Sequence, residues 1–211
     1  MGKLYLVRHG KTQYNLDHRF CGLTDVPLVV DGIKNAETIA KLLHDVKFTA
    51  VYSSNLERAY ETAKIILTET NQTHVKVNKD PRLNERDYGV LTGKYHQEAE
   101  DFLGKEQVQL WRRGWDTCPP EGESLKDVYN RAVPMFKDEI FPQLVKPESA
   151  VLICAHGNSL RALITYLDQP SLAELAKLEI VYDQAYIYEF DENGLHQSLD
   201  EIPRQSRWLA K

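Results

Sequence analysis

Two His-Gly pairs are the residues of this sequence with the clearest chemical potential. Arg8-His9-Gly10 follows one short apolar segment, and His156-Gly157-Asn158 follows another. A neutral imidazole is a competent nucleophile near neutral pH. Glycine lets the backbone turn tightly and approach a ligand, and the amides that follow can donate to an anion at a helix start. The two pairs therefore predict a site that handles an anion.

Charged side chains elsewhere in the sequence could complete such a site. Arg58 lies one turn into a helical segment, Glu85 adds a carboxylate, and Arg112-Arg113 form a second cationic pair. The planar guanidinium fork of arginine matches phosphate and carboxylate. Taken singly, a histidine at a strand end is more often structural, and an arginine pair such as Arg112-Arg113 more often lies on a solvated helix face. A Glu85-Arg86 pair alone would more often be a surface ion pair. The presence of two His-Gly pairs, one preceded by arginine, favours a functional site.

Alternating strand-like and helix-like segments predict the fold that must position these residues. Short apolar strands are predicted at residues 3–7, 49–53, 75–77 and 150–155. Amphipathic helices are predicted at residues 31–46, from 54 or 55 to 67, 124–145, 159–167 and from 171 onward. This alternation is typical of an α/β fold with a mostly parallel central sheet and helices on both faces. Ligands of such sheets bind beyond the carboxyl ends of the strands, where both His-Gly pairs lie.

Residues at helix ends and in the second half of the chain refine this prediction. Ser54 or Asn55 is predicted to cap the second helix, and Ser124 with Asp127 has the spacing of a capping box. Pro134 is predicted to kink the helix that follows.

The chain is predicted to form a single domain over residues 1–211. Residues 86–148 interrupt the alternation and are predicted to form a helical cap region over one edge of the sheet. A closing hairpin is predicted through 186–190 and 195–199.

Composition excludes several classes of protein. The chain has 26 Lys and Arg against 31 Asp and Glu, a formal charge of −5. Binding to nucleic acid or to an anionic membrane usually needs a basic excess, so neither partner is expected. The three cysteines are far apart, which argues against a disulfide framework and favours a reducing compartment. No apolar run is long enough for a membrane helix and no leader is evident, so a cytoplasmic location is expected.

Metal and nucleotide sites are the rival interpretations of these motifs. His9, His156 and Glu85 could ligate a metal, but the sequence has no HxH or HExxH spacing, and the nearby arginines would repel a cation. Gly10-Lys11-Thr12 follows a strand as a P-loop does, yet Tyr5 stands where that motif needs glycine. The dinucleotide fingerprint GxGxxG is absent. We therefore predict neither a metal nor a nucleotide.

Three segments in this order resemble the histidine phosphatase superfamily: LVRHG at 6–10, SSNLERA at 53–59 and AHGN at 155–158. Within that superfamily, LNERDYG at 83–89, the segment 107–113 and AHGNSLRAL at 155–163 resemble cofactor-dependent phosphoglycerate mutases. The resemblance runs from about residue 3 to about residue 193. The short chain is similar to the compact members of that family.

The resemblance implies roles for individual residues. His9 would be a phosphohistidine nucleophile, Arg8, Arg58 and His156 would hold the phosphoryl group, and Glu85 would be the general acid and base. The residues expected to line a phosphoglycerate pocket are Asn15, Cys21, Gly22, Tyr88, His96, Arg112, Arg113, Gly157 and Asn158. The implied reaction interconverts 3-phosphoglycerate and 2-phosphoglycerate, with 2,3-bisphosphoglycerate as primer and without metal. The implied partner is a small phosphorylated molecule, and the oligomeric state stays open, a homo-oligomer included.

Three departures from the mutase pattern keep other functions open. His96 replaces a usual lysine, Cys21 replaces a usual threonine, and Val-Tyr-Asp-Gln at 181–184 replaces Pro-Thr-Gly. One alternative is a phosphatase that transfers the same phosphoryl group to water, and another is a binding module without catalysis. Arg112 and Arg113 favour the mutase, because its substrate carries two anionic groups, whereas the change at His96 favours the phosphatase.

Overall fold

A six-stranded sheet with helices on both faces forms the centre of the protein in the computed structural model, which describes residues 1–191 and 193–195. The strands are β1 Gly2–Arg8, β2 Ala50–Ser53, β3 Val77–Lys79, β4 Ala150–Ala155, β5 Ala185–Asp191 and β6 Gly194–Leu195. The helices are α1 Gln13–Leu16, α2 Val30–Leu42, α3 Glu57–Glu69, α4 His96–Leu103, α5 Lys105–Arg113, α6 Leu125–Met135, α7 Phe141–Leu144, α8 Gly157–Asp168 and α9 Leu172–Lys177. The predicted α/β fold is confirmed. In this part of the chain, no helix has the length and apolar character needed to cross a membrane.

The strand order is β3-β2-β4-β1-β5-β6. β4 lies between β1 and β2 and is parallel to both, whereas β5 runs antiparallel to β1. Every residue of β4 is buried. A strand covered on both faces must be apolar along its whole length, which explains why 150–155 is the most apolar segment of the sequence.

Side chains of the central strands divide between two cores. Leu4, Leu6 and Ile153 point to the face covered by α6 and α8, whereas Val7 and Leu152 point to the face covered by α2 and α3. This alternation follows from the two-residue period of a strand. Because both faces are covered, only the strand ends remain open to a ligand.

The predicted cap region includes both small helices above the sheet and helices that pack on it. α4 and α5 enclose a separate apolar cluster with Phe20, Leu91 and Val108. α6 lies in the same range but packs against α8, and Phe136 joins the core of the sheet. The single domain and the limits 86–148 stay a prediction.

The predicted start of the second helix was wrong because Ser54 has another partner. α3 begins at Glu57, with Leu56 as its N-cap, and Asp25 Oδ1 accepts a hydrogen bond from the Glu57 amide at 2.8 Å. Asn55 does not cap the helix; its own amide donates to Asn84 Oδ1. Ser54 Oγ contacts the ring of His156 and accepts a hydrogen bond from the Leu56 amide at 3.2 Å, just before the helix begins.

The predicted start of α8 at Ser159 was also wrong. The helix begins at Gly157, and His156 is its N-cap, because Ser159 Oγ accepts a hydrogen bond from the His156 amide at 3.0 Å. The second histidine is therefore fixed at the junction between β4 and the helix.

The long helix predicted to end near Val145 is interrupted. The Ser124–Asp127 capping box is confirmed at its start. α6 then passes into a π-helical turn at Phe136–Ile140 before α7 begins. Pro134 and Pro142 flank this turn, and neither has the N–H that a helix interior needs.

Smaller differences concern element ends. α2 ends at Leu42 instead of residue 46, where the Val46 amide turns back to the Leu43 carbonyl. β3 begins at Val77, two residues later than predicted, and pairs with Val51 of β2. The last strand of the predicted hairpin begins at Gly194, and residues 196–199 lie outside the described residues.

The loop after β1 passes in direct contact with α2. A Cβ atom on Gly10 would overlap the Gly32 carbonyl, and a Cβ atom on Gly32 would overlap the Lys11 carbonyl. This contact fixes the backbone immediately after His9, because two glycines allow the loop and the helix to touch through their main chains.

We expect Gly32→Ala to destabilise the protein by about 1–3 kcal/mol, although glycine-to-alanine changes in exposed helices usually stabilise by about 1 kcal/mol. The measurement is the free energy of unfolding in urea. Lys34→Ala, on the exposed face of the same helix, is the control and should shift stability by less than about 0.5 kcal/mol. A stabilised Gly32→Ala protein would contradict the close contact.

Candidate active site

The two predicted histidines lie side by side because the strands before them are in register. Arg8 of β1 pairs with Ala155 of β4, so the next residue on each strand is a histidine. The His9 amide donates to the Ala155 carbonyl at 2.9 Å. The ring centroids of His9 and His156 are 4.9 Å apart. The carboxyl ends of β1 and β4 thus form the floor of the site.

His9 is held with one ring nitrogen bound and the other free. Its Nδ1 lies 2.7 Å from the Gly10 carbonyl oxygen, which can only accept, so Nδ1 carries the proton. Nε2 then holds a free lone pair. Burial, together with the positive charges of Arg58 and Arg8, holds the pKa of His9 well below its usual value near 6.5. The ring is therefore neutral at neutral pH, with the lone pair available on Nε2.

His156 is completely buried beside it. Ser53 of β2 pairs with Cys154 of β4, and this register brings Ser54 Oγ to 2.6 Å from His156 Nε2. His156 Nδ1 has no hydrogen-bond partner among the described residues. Burial and the charge of Arg58 also lower the pKa of His156.

Arg58 lies fully buried in the first turn of α3. Its guanidinium donates to the carbonyls of Thr24 at 2.8 Å and Gly22 at 2.9 Å, while its Nε has no partner in the described part of the chain. Cys21 is also buried, with its thiol 3.6 Å from the Thr24 carbonyl, and burial raises its pKa. Gly22 and Cys21 were expected in the pocket wall. The Gly22 carbonyl holds Arg58, the Cys21 thiol contacts the Thr24 carbonyl, and neither residue is among those that line the cavity described below.

Arg8 lies between the first histidine and a segment near the end of the chain. Its Nη1 donates to the Ile180 carbonyl at 2.6 Å, and its guanidinium lies 3.9 Å from the ring centroid of Tyr182. Its Nε is buried with no partner among the described residues. An approaching anion could bind this free donor.

Glu85 is positioned through one carboxylate oxygen. Oε1 accepts hydrogen bonds from the Arg86 amide at 2.7 Å and from Asn158 Nδ2 at 3.0 Å. Oε2 lies on the side of Gly157, close to where a side chain at that position would begin. Arg131 donates to the Glu85 carbonyl at 3.1 Å. The carboxylate is thus fixed, with one oxygen free to exchange a proton with a ligand.

A cavity of about 470 Å³ opens above these residues. Among the described residues that line it, six are Lys or Arg and two are Glu. Those predicted from the sequence are Arg8, Asn15, Glu85, Tyr88, His96, Arg112, Arg113, Gly157 and Asn158. His9, His156 and Arg58 lie beneath this lining, buried. The excess of positive charge indicates a site for a small anion.

His96 is uncharged in this cavity at neutral pH. Its ring lies against Phe20, with centroids 4.4 Å apart. Burial and the charges of Arg112, His18 and Arg113 lower the pKa of His96 to about 4. The position therefore lacks the positive charge that the usual lysine would carry.

Arg112 and Arg113 enter the cavity from the end of α5. Arg113 pairs with Glu179 at 2.5 Å, and Arg112 lies 3.9 Å from Glu100. Arg86 holds this helix end by donating to the Arg112 carbonyl at 3.2 Å. The two arginines thus come from a different element than Arg8 and approach the same cavity.

Several side chains of the site did not emerge from the sequence as candidates: Lys11, Arg19, Ser54, Arg161 and Tyr182. Ser54 and Arg161 lie within the motifs at 53–59 and 155–163, so those motifs could have identified them as site residues. Arg161 is buried and donates to Asn158 Oδ1 at 3.1 Å. Tyr182 lies in a segment that departs from the mutase pattern, and no motif pointed to it.

No three His, Cys, Asp or Glu side chains within the described ranges gather as metal ligands. The polar atoms left without partners there include Arg8 Nε, Arg58 Nε, Arg161 Nε and His156 Nδ1. Arginine nitrogens are donors only, so they suit an anion and would repel a metal cation.

The lowered pKa of His9 predicts how stability varies with pH. The unfolded chain binds a proton below about pH 6.5, whereas the folded protein keeps this ring neutral, so stability is lost as pH falls from 6.5. The slope reaches at most about 1.4 kcal/mol per pH unit for one such histidine. We expect His9→Gln to lose less stability than the wild type between pH 7 and pH 5 in urea unfolding.

His74→Gln, at an exposed histidine, is the control and should follow the wild type. Equal slopes for the wild type and His9→Gln would contradict a neutral, buried His9.

Comparisons with known proteins agree with this geometry. A 2,3-bisphosphoglycerate-dependent phosphoglycerate mutase of Methanococcus vannielii is 39% identical, over 92% of this chain and 93% of its own length. A phosphoglycerate mutase of Schizosaccharomyces pombe is 40% identical, over 94% of this chain and 95% of its own. Among solved structures, a mycobacterial glucosyl-3-phosphoglycerate phosphatase is 27% identical and superposes with a TM-score of 0.79, covering 92% of this chain and 95% of its own.

The family assignment follows from the match over nearly the whole chain. Residues 4–201 match the histidine phosphatase superfamily, branch 1. This range includes both His-Gly pairs, Arg58 and Glu85. The chain belongs to the histidine phosphatase superfamily.

Proposed function

We propose that the protein interconverts 3-phosphoglycerate and 2-phosphoglycerate through a phosphohistidine at His9. Relatives about 40% identical over most of the chain are named 2,3-bisphosphoglycerate-dependent phosphoglycerate mutases. The observation that carries the proposal is one cavity with cations from two elements, Arg8 after β1 and Arg112 with Arg113 at the end of α5. A substrate with a phosphate and a second anionic group fits such a cavity.

His9 and Glu85 have complementary roles in the first transfer. Nε2 of His9 attacks phosphorus of the bound donor, and a P–N bond forms as the P–O bond to the donor breaks. The leaving oxygen takes a proton from the Glu85 carboxyl group, so no strong base leaves. Nδ1 keeps its proton and donates it in a hydrogen bond to the Gly10 carbonyl, which stabilises the positive ring.

The buried donors stabilise the charge on the phosphoryl oxygens. Arg8 Nε and Arg58 Nε have no partners among the described residues, and His156 Nδ1 joins them as a donor when Ser54 Oγ donates to His156 Nε2. Fixed donors of this kind supply most of the catalysis in phosphoryl transfer. They also fit the phosphate of a primer, and 2,3-bisphosphoglycerate would supply the first phosphoryl group to His9. The proposal includes no metal, because the arginines of the cavity would repel one.

The return transfer moves the phosphoryl group from primed His9 to the free hydroxyl of 3-phosphoglycerate and gives 2,3-bisphosphoglycerate. That hydroxyl oxygen attacks phosphorus, its proton passes to Glu85, and the P–N bond breaks with its electron pair returning to Nε2. The other phosphoryl group of that intermediate then passes to His9 by the first transfer, which leaves 2-phosphoglycerate. Meanwhile Arg112 and Arg113 hold the second anionic group. Asn15, Tyr88, Gly157 and Asn158 are proposed to orient the glycerate between the two ends.

A phosphatase is the second candidate, and two observations favour it. A structural relative is a glucosyl-3-phosphoglycerate phosphatase. His96 is neutral where a lysine is usual, which lowers the positive charge around a second anion. The two functions differ only in whether a hydroxyl of phosphoglycerate or water accepts the phosphoryl group.

Two assays on one preparation distinguish the candidates. We expect the wild type to convert 3-phosphoglycerate in an enolase-coupled assay, to depend on 2,3-bisphosphoglycerate, and to release phosphate slowly. His9→Ala should lose both activities by at least about 10⁴-fold, because both candidate reactions proceed through a phosphohistidine at His9. Fast phosphate release without mutase activity would contradict the mutase and favour the phosphatase.

The second arginine site gives a separate prediction. Arg113→Ala should lower mutase turnover at least about tenfold, the worth of a lost charge-assisted contact, because the substrate's second anion loses its cation. Phosphate release from a one-phosphate test compound should change by less than about twofold. Lys105→Ala, on the exposed start of the same helix, is the control and should leave both activities unchanged. Equal losses of the two activities in Arg113→Ala would mean that this residue serves only the common phosphoryl site.

A further inference from the structure

The segment Val181–Gln184 departs from the mutase pattern, and it brings an aromatic ring to the reacting end of the cavity. Tyr182 lines the cavity and lies mostly buried. Its ring meets the ring of His9 edge to face, with centroids 6.1 Å apart. Neither the proposed mechanism nor the family motifs give this residue a role.

Two cations lie around the Tyr182 ring. The guanidinium of Arg8 lies 3.9 Å from the ring centroid, close enough for a strong cation–π contact. Lys11 Nζ lies 5.7 Å from the same centroid. The ring therefore covers the guanidinium that is proposed to bind the phosphoryl group, and it occupies space that water would otherwise fill.

Backbone contacts hold the ring in place. The Ile180 carbonyl accepts the hydrogen bond from Arg8, so the residue two before Tyr182 is tied to the same guanidinium. The Glu179 carbonyl accepts from the Tyr186 hydroxyl at 3.2 Å, and the Glu179 side chain pairs with Arg113. The ring is thus carried by a strap, residues 178–182, that is tied to both cationic ends of the cavity.

We propose that Tyr182 is a specificity-determining residue whose ring shields the phosphoryl group on His9 from water and thereby favours transfer to phosphoglycerate. The inference rests on the proposed function, since it concerns the phosphohistidine of that reaction.

The Tyr182 ring affects whether water or phosphoglycerate accepts the phosphoryl group from His9. In hydrolysis, a water oxygen forms a bond to phosphorus, one of its protons passes to Glu85, and the P–N bond breaks with its electron pair returning to Nε2. Phosphoglycerate is held at the acceptor position by its own anionic groups, whereas a water molecule must be held there by polar groups of the cavity wall. An apolar face at this point therefore lowers the rate of hydrolysis more than the rate of transfer.

The phenol hydroxyl is not needed for this role. Burial raises the pKa of Tyr182, so the side chain stays neutral. Its ring face, and not its proton, contacts Arg8. Tyr182→Phe should therefore keep the protection from water, whereas Tyr182→Ala should lose it.

The experiment measures how fast the isolated phosphoenzyme loses its phosphoryl group to water. Wild type, Tyr182→Phe, Tyr182→Leu and Tyr182→Ala are each phosphorylated with labelled 2,3-bisphosphoglycerate, freed of excess donor and followed by phosphate release. We expect at least about a tenfold faster loss for Tyr182→Ala, an intermediate rate for Tyr182→Leu, and less than about a twofold change for Tyr182→Phe. The ratio of phosphate release to mutase turnover should be highest for Tyr182→Ala, intermediate for Tyr182→Leu and close to wild type for Tyr182→Phe.

Val181→Ala is the matched control, because Val181 is the neighbouring exposed residue outside the cavity lining; its phosphoenzyme should resemble the wild type. Tyr182→Leu keeps the test valid if the alanine variant fails to fold. Wild-type lifetimes in both the alanine and leucine variants would overturn the role of Tyr182 and leave the mutase proposal standing. Failure of the wild type to form a phosphoenzyme would overturn both.

Discussion

Three parallel strands end side by side in this protein, and their register fixes where the chemistry can occur. Arg8 pairs with Ala155, and Ser53 pairs with Cys154. The residues that follow, His9, His156 and Ser54, must therefore meet at one point. A slip of one residue in either pairing would turn these side chains to the opposite face of the sheet. The covered faces of the sheet and the glycine contact between the first loop and α2 keep this register unique.

The charges around this point determine the protonation state of its two histidines. Arg8 and Arg58 are placed beside two buried histidines, and the combined effect of burial and positive charge keeps both rings neutral. Buried cations with unpartnered nitrogens are costly in the absence of an anion. A phosphoryl group would satisfy these donors, so the arrangement favours binding of a phosphoryl group. In the proposed mechanism, Glu85, held by Asn158 and Arg86, supplies the proton that phosphoryl transfer needs.

The sequence predicted the fold class and the main catalytic candidates because both leave local signals. An apolar strand such as 150–155 and a His-Gly pair at its end are visible in a few consecutive residues. Contacts between distant segments leave no such signal. The capping of α3 by Asp25, the support of Arg58 by the Gly22 and Thr24 carbonyls, and the packing of Tyr182 on Arg8 each depend on the tertiary fold. The N-cap role of His156 was missed because Ser159, a better cap by type, stands three residues later.

The central claim is that the free Nε2 of His9 carries the phosphoryl group. The most direct measurement is peptide mapping by mass spectrometry, under alkaline conditions, of the protein quenched after brief mixing with 2,3-bisphosphoglycerate, with ³¹P NMR to distinguish the two ring nitrogens. The account predicts one phosphoryl group per chain, on Nε2 of His9, because Nδ1 donates a hydrogen bond to the Gly10 carbonyl. A phosphoryl group on His156, on Nδ1 of His9, or on no histidine would contradict it.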